Sequence, residues 1–186
     1  MSDSPLIVFD PSVESPKSDD IRLLPRLATL RGKVVGVIWN NKQPGDWLLR
    51  RMQEKLRDDY DAVIGPFMTK PWLGNVAPEH ILQEMKSCDA VVSGVGDCGS
   101  CMSANTLDAI TMERLGVPAV PVGTLRLAET TGRGMARFHG LPDFPLAIIR
   151  SRPVRLEGVT SPEERETIVN EFCPQVVKAL LTGRTD

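Results

Sequence analysis

The stretch AVVSGVGDCGSCMSANTLDAITMERLGVPAVPV, residues 90–122, carries the reading of the fold. Residues 90–95 are a short apolar run, the signature of a buried strand. A glycine-rich turn follows, with Cys98 and Cys101 three positions apart. The next segment has a helical period, with Leu107, Ile110, Thr111 and Leu115 on one face. It stops at Gly116-Val117-Pro118, a helix-ending combination. A second apolar run, PAVPVGT at 118–124, reads as another strand.

The same alternation extends outward in both directions. KVVGVIW (33–39) is an apolar, β-branched run and reads as a buried strand. After the polar turn NNKQPGD, Asp46 is placed to cap a helix through residue 60, with Leu48, Met52 and Leu56 on one face. DAVIGPFM (61–68) reads as a strand weakened by Pro66. Pro78 suits the first turn of a helix that carries Ile81, Leu82 and Met85. Residues 125–138 have a poor helical pattern, interrupted by Gly132 and Gly134. FPLAIIRSRP (144–153) reads as a fifth strand. Ser161-Pro162-Glu163-Glu164 opens a last helix. Ile168, Phe172, Val176 and Leu180 form its stripe, and Pro174 is expected to kink or break it.

Strand and helix thus alternate about five times. The implied fold is α/β, a three-layer arrangement around a mostly parallel five-stranded sheet in the flavodoxin-like order 2-1-3-4-5. Residues 1–31 read as an irregular segment in which LIVF (6–9) forms a short strand, and residues 32–186 as a single α/β domain. In such a sheet a ligand sits beyond the carboxyl ends of the strands, where the order reverses between strands 1 and 3. The turns meeting there are residues 40–46 and 96–101, so the cysteine pair falls where the fold places a site.

The composition narrows the partners. The net charge is −2 over 186 residues, with 41% hydrophobic and 25% charged residues. That balance favours neither nucleic acid nor an anionic membrane surface. Every strongly apolar stretch is well short of the roughly 20 residues of a membrane span, and the N-terminus lacks the pattern of a signal peptide. A cytoplasmic chain that could form a homo-oligomer is expected. Of the four cysteines, Cys88 and Cys173 read as structural. No second CxxC or HxxxH spacing accompanies Cys98 and Cys101, so no metal and no cofactor are expected.

At the corner itself, Gly96 allows a tight turn, Gly99 leaves room beside Cys98, and Asp97 is placed to cap the helix. Cys98 would then lie in the first turn, where free N–H groups and the helix dipole favour an anion. The thiolate is the reactive form of cysteine. Asp97 opposes that charge, so a cation must help to outweigh it. Cys101, one turn on, is within reach to resolve a mixed disulfide or a sulfenic acid on Cys98.

The run Gly94-Val95-Gly96-Asp97-Cys98-Gly99-Ser100-Cys101 resembles the signature of the UGSC group, named for selenocysteine-Gly-Ser-Cys and loosely related to selenoprotein B of glycine, sarcosine and betaine reductases. The likeness includes Asn41-Lys42-Gln43-Pro44, the run SCDAVV at 87–92, and the positions 108–110 and 116–118. It covers about residues 32–125 and continues only in outline beyond. The resemblance implies a thiol or selenol nucleophile and leaves the substrate open. Cys98 stands where these proteins can carry selenocysteine. A thiol is less acidic and a poorer leaving group, which slows reductive turnover and makes addition–elimination chemistry more competitive.

Further residues complete the expected site. Lys42 is the candidate cation facing Cys98, and Asn41 a donor to a carbonyl or oxyanion. Ser100, with Gly96, Asp97 and Gly99, would line the substrate. Thr124 ends the fourth strand, and Arg126 could pair with a carboxylate bidentately. His139 is the candidate general acid–base. The expected function is a cysteine-dependent enzyme in which the Cys98 thiolate attacks a small electrophilic substrate, with Cys101 as resolving or supporting thiol and an external thiol as reductant. The alternatives are a non-catalytic small-ligand-binding subunit and a thioredoxin-like dithiol carrier.

Overall fold

A computed structural model describes residues 22–152 and 155–185. The proposed short strand at 6–9 lies outside them. The chain runs β1 (Val34–Trp39), α1 (Gly45–Tyr60), β2 (Val63–Thr69), α2 (Glu79–Met85), β3 (Ala90–Gly96), α3 (Gly99–Arg114) and β4 (Ala119–Thr124). A short helical turn, α4 (Leu125–Leu127), leads through a π-helical turn (Ala128–Gly132) into α5 (Arg133–Phe138). β5 (Ala147–Ile149) and α6 (Pro162–Thr182) complete it. The five strands form one parallel sheet in the order β2-β1-β3-β4-β5, as expected from the alternation.

The period-2 alternation of the strands sends their side chains into two cores. Val35 and Val37 of β1, Val92 of β3, and Ala147 and Ile149 of β5 pack under α1 and α6. Ile38, Val91 and Ile148, each one residue out of step, pack under α2, α3 and α5. The expected stripes of α1 and α6 are buried in the first core. Their charged faces also meet, where Arg51 Nε lies 2.9 Å from Glu166 Oε2.

Several local expectations are corrected. Asp46 does not cap α1: Pro44 occupies the N-cap, and among the described residues no side chain caps the helix. Pro78 is likewise the N-cap of α2 rather than its first helical residue. β5 is only three residues long, with Phe144 and Leu146 buried ahead of it. Its backbone is met by a side chain: Ile148 N–H donates to Gln175 Oε1 at 2.9 Å, and Gln175 Nε2 donates to Ile148 O at 2.8 Å. That amide occupies backbone groups which a sheet edge would otherwise leave open. Pro66 falls where two residues of the edge strand β2 oppose one of β1, a bulge that tolerates its missing N–H.

α6 runs unbroken through Pro174. The carbonyl that loses its partner is four residues earlier, at Asn170, and both residues are exposed, so water can satisfy it.

The largest departure is α3. A single apolar stripe was expected, but Leu107, Thr111 and Leu115 are only half-buried while Asn105, Thr106, Asp108 and Glu113 are buried. The helix is wrapped by the sheet, by α5, by the segment after β2 and by the segment before β1. Its buried polar groups bind those segments. Glu113 accepts from Leu24 N, Ala119 N and Arg26 Nη1.

Candidate functional site

Four strands end in a buried polar residue at the carboxyl edge of the sheet. Asn40 follows β1, Lys70 follows β2, Asp97 follows β3 and Thr124 closes β4. Parallel strands put these ends side by side, at the edge where ligands of such folds bind. The β1 and β3 turns are locked together directly. Asn40 N–H donates to Gly94 O at 3.1 Å, and its Nδ2 donates to Val95 O at 3.0 Å. Thr124 Oγ1 reaches Gly96 O at 3.4 Å.

Gly96 is required by packing rather than by dihedral angle. A Cβ there would sit 2.5 Å from Met102 Sδ and 2.9 Å from Met102 Cα. α3 can therefore start hard against the strand. A Cβ on Gly99 would meet nothing within 4 Å, so the first turn of α3 is open on that side, as expected beside Cys98.

Cys98 and Cys101 form a disulfide, with their Cα atoms 5.1 Å apart. Cys98 is the N-cap of α3: its sulfur accepts from Cys101 N at 3.2 Å. This corrects the assignment of the cap to Asp97 and the placing of Cys98 inside the first turn. Sulfur at the N-cap still meets an N–H that has no partner within the helix and the positive end of the helix dipole. Cys98 is half-buried and Cys101 is 1% exposed, so the outer sulfur is the accessible one. Ser100 Oγ lies 3.5 Å from Cys98 Sγ.

Asp97 turns inward instead. It is 2% exposed, and Oδ1 lies 3.1 Å from Lys42 Nζ. Oδ2 is buried with no hydrogen-bond partner among the described residues. A carboxylate oxygen of Asp97 and both sulfurs lie within 4.8 Å of one another. These three are the residues that could hold a metal ion among those described. With the disulfide closed they offer one carboxylate and no thiolate.

Lys42, the expected cation, is thus in the neighbourhood but paired with Asp97, with Glu157 Oε1 also 3.8 Å away. Asn41 is exposed in a left-handed conformation, φ 59°. Arg126 is exposed on α4.

His139 is not brought to this corner. It caps the C-terminus of α5, and its Nδ1 lies 3.5 Å from Arg114 Nη2. Arg114 closes α3, whose N-cap is Cys98. Sixteen positions at 1.5 Å rise separate the two ends by about 24 Å. Burial, then the nearby Arg114 charge, lowers the His139 pKa from its ordinary value.

A second buried constellation borders the disulfide and escaped the sequence reading. Lys70 is fully buried, and its Nζ donates to Asp108 Oδ2 at 2.7 Å and to Asn105 Oδ1 at 3.0 Å. Asp108 Oδ1 accepts from Ala77 N at 2.7 Å. One carboxylate on α3 therefore clamps both ends of the 70–77 loop. Burial pulls the Lys70 ammonium down from its usual range and pushes Asp108 up, while each partner opposes the shift of the other. The loop lies over the cysteine turn, where a Cβ on Gly74 would be 2.8 Å from Ser100 Oγ. Its Trp72 is 65% exposed, with Leu73 and Val76 also exposed.

The model of the UGSC family matches residues 7–182. The chain belongs to the UGSC family. The match reaches well beyond residues 32–125, where the resemblance of the sequence is most specific, and it includes both the cysteine turn and the 70–77 loop. Neither curated proteins nor solved structures give a match. Among the described residues no helix is long and apolar enough to cross a membrane.

Proposed function

We propose that this UGSC-family chain is a dithiol enzyme in which Cys98 attacks a small electrophilic substrate and Cys101 resolves the adduct. The carrying observation is the disulfide at the head of α3, which joins an accessible sulfur to a buried one. In the reduced protein, the Cys98 thiolate displaces Y⁻ from a substrate R–Y and forms a Cys98–S–R bond. The Cys101 thiolate attacks the Cys98 sulfur and closes the disulfide, and R leaves with the bonding pair and takes a proton. The dithiol loses two electrons and two protons; the products are R–H and HY. Two equivalents of an external thiol restore the dithiol and become a disulfide.

A small aryl disulfide, 2,2′-dithiodipyridine, tests the assignment on the reduced protein. With Cys88 and Cys173 replaced by serine, the chain should release two equivalents of thiopyridone and end as the internal disulfide. Cys101→Ser should release one equivalent and keep the mixed disulfide, visible in the intact mass. Cys98→Ser should react slowly. A stable mixed disulfide on the chain that retains both Cys98 and Cys101 would remove Cys101 from the resolving role. Equal reactivity of the Cys98→Ser and Cys101→Ser chains would remove Cys98 from the attacking role.

One observation favours a dithiol carrier acting on another protein: the exposed Trp72, Leu73 and Val76 border the cysteine turn. Reduction of insulin by the reduced chain, with turnover sustained by a thiol donor, distinguishes that reading from small-molecule chemistry.

A further inference from the structure

At the far edge of the sheet, a cleft of about 880 Å³ opens between the segment before β1, α5, β5 and the end of α6. Its walls carry Arg26, Arg133, Arg137, Arg150 and Arg184 against two carboxylates, Glu129 and Asp143. Arg133 and Arg137 are four apart on α5 and so share a face. Arg150 is 3.7 Å from Glu129 at an exposed position, a weak pairing. Leu24, Pro145 and Ile148 supply apolar wall. The volume lies within the usual range of small-molecule sites, about 300–1,000 Å³.

Arg26 shows that the cleft is more than a basic surface. Its side chain is only 8% exposed, and Nη1 pairs with Glu113 Oε1 at 2.7 Å. Nε and Nη2 are buried and have no hydrogen-bond partner among the described residues. A Cβ on Gly183, another wall residue, would approach Nε to 3.4 Å, so the side of the guanidinium that bears Nε faces the end of α6. Buried donors are normally satisfied, and two on one side of a guanidinium match the two oxygens of a carboxylate or phosphate.

We propose that this cleft binds an organic anion, a phosphate or carboxylate head held by Arg26 and its neighbouring arginines with an apolar body against Leu24, Pro145 and Ile148. The site is independent of the thiol chemistry. Arg26 is held by Glu113, near the opposite end of α3 from Cys98, about 22 Å away by helix rise.

Calorimetric titration of the full chain with phenyl phosphate and with benzoate separates the two head groups, and benzyl alcohol is the neutral control. One of the anions should bind and the alcohol should not. Arg26→Lys keeps a cation for Glu113 but removes the forked donors, and Arg137→Gln removes a charge from an exposed position where folding is not at stake. Each should weaken binding by about tenfold or more, the scale of a charge-assisted hydrogen bond. The alkylation rate of reduced Cys98 should not change in either variant or with the anion present. Failure of both anions to bind, equal binding of the alcohol, or affinities unchanged in both variants would overturn the proposal. Protection of Cys98 by the bound anion would place the site at the cysteine turn and overturn it as well.

Discussion

Asp97 lies between a cation and a sulfur pair: its Oδ1 is 3.1 Å from the Lys42 ammonium, and a carboxylate oxygen is within 4.8 Å of both the Cys98 and Cys101 sulfurs. Lys42 therefore cannot be treated as a lone cation beside the thiolate. The pair presents nearly balanced charge to the reduced dithiol. Removing one member should matter more than removing both.

Lys42→Ala leaves a buried carboxylate facing the sulfurs, which disfavours a thiolate. Alkylation of reduced Cys98 should slow at neutral pH, and its inflection should move to higher pH. Asp97→Asn should move it the other way. The double variant should return close to the parent profile. The measurement is alkylation rate against pH, with Cys88, Cys101 and Cys173 replaced by serine. Profiles superimposable on the parent's in all three variants would mean that the N-terminus of α3 alone sets the reactivity.

The four cysteines should label in a definite order. Cys88 and Cys173 are reduced and buried. Burial raises the Cys88 thiol from its ordinary range and pushes Cys173 up to about 11. In the native oxidised chain, iodoacetamide should therefore label almost nothing at neutral pH. After mild reduction Cys98, the half-buried sulfur, should label first. Peptide mapping over a time course checks this. Cys173 labelled ahead of Cys98 would contradict the burial that sets the order.

The place of the cysteine turn at the carboxyl edge of the sheet was legible in the sequence because it depends on two robust features. Apolar runs such as 33–39 and 90–95 give the sheet, and a parallel sheet puts the turns after β1 and β3 side by side. The burial of α3 was not legible. The burial of Asn105, Asp108 and Glu113 has no local signal, because nothing near them in the sequence shows that Lys70 and Arg26, 38 and 87 residues away, reach Asp108 and Glu113. His139 shows the opposite error. Its residue type suggested proton transfer, but the length of α3 separates it from the cysteines. Asn40 and Lys70 could have been flagged as polar residues directly after apolar strand runs.

The His139 environment predicts a direction with pH. Its folded pKa is lowered by burial and by Arg114, so the unfolded chain takes up a proton first on acidification. Above the unfolded value of about 6.5, both states are neutral and the residue adds no pH dependence. As pH falls below that value, stability should fall until the folded pKa is passed. His139→Asn should flatten this part of the Tm profile between about pH 7.5 and 5.5. An unaltered slope in the variant would assign the effect to other groups.

The Lys70–Asp108 pair should be the costliest feature near the site to disturb. Lys70→Met strands a buried carboxylate, and loss of one partner of such a pair costs about 3–5 kcal/mol. Asp108→Leu strands the ammonium and also leaves Ala77 N–H without its acceptor. Combining the two changes should recover much of the loss, because no charge is then left buried alone. Recovery should stop short by about 1–3 kcal/mol, the cost of the orphaned Ala77 amide. Urea unfolding of the three variants gives these differences. Because Asp108 holds both ends of the 70–77 loop, chymotryptic cleavage after Trp72 or Leu73 should accelerate in Asp108→Leu more than in Lys70→Met, which keeps the bond to Ala77. Equal cleavage rates in all three variants and the parent would mean that the loop is held by its packing on Ser100 rather than by the clamp.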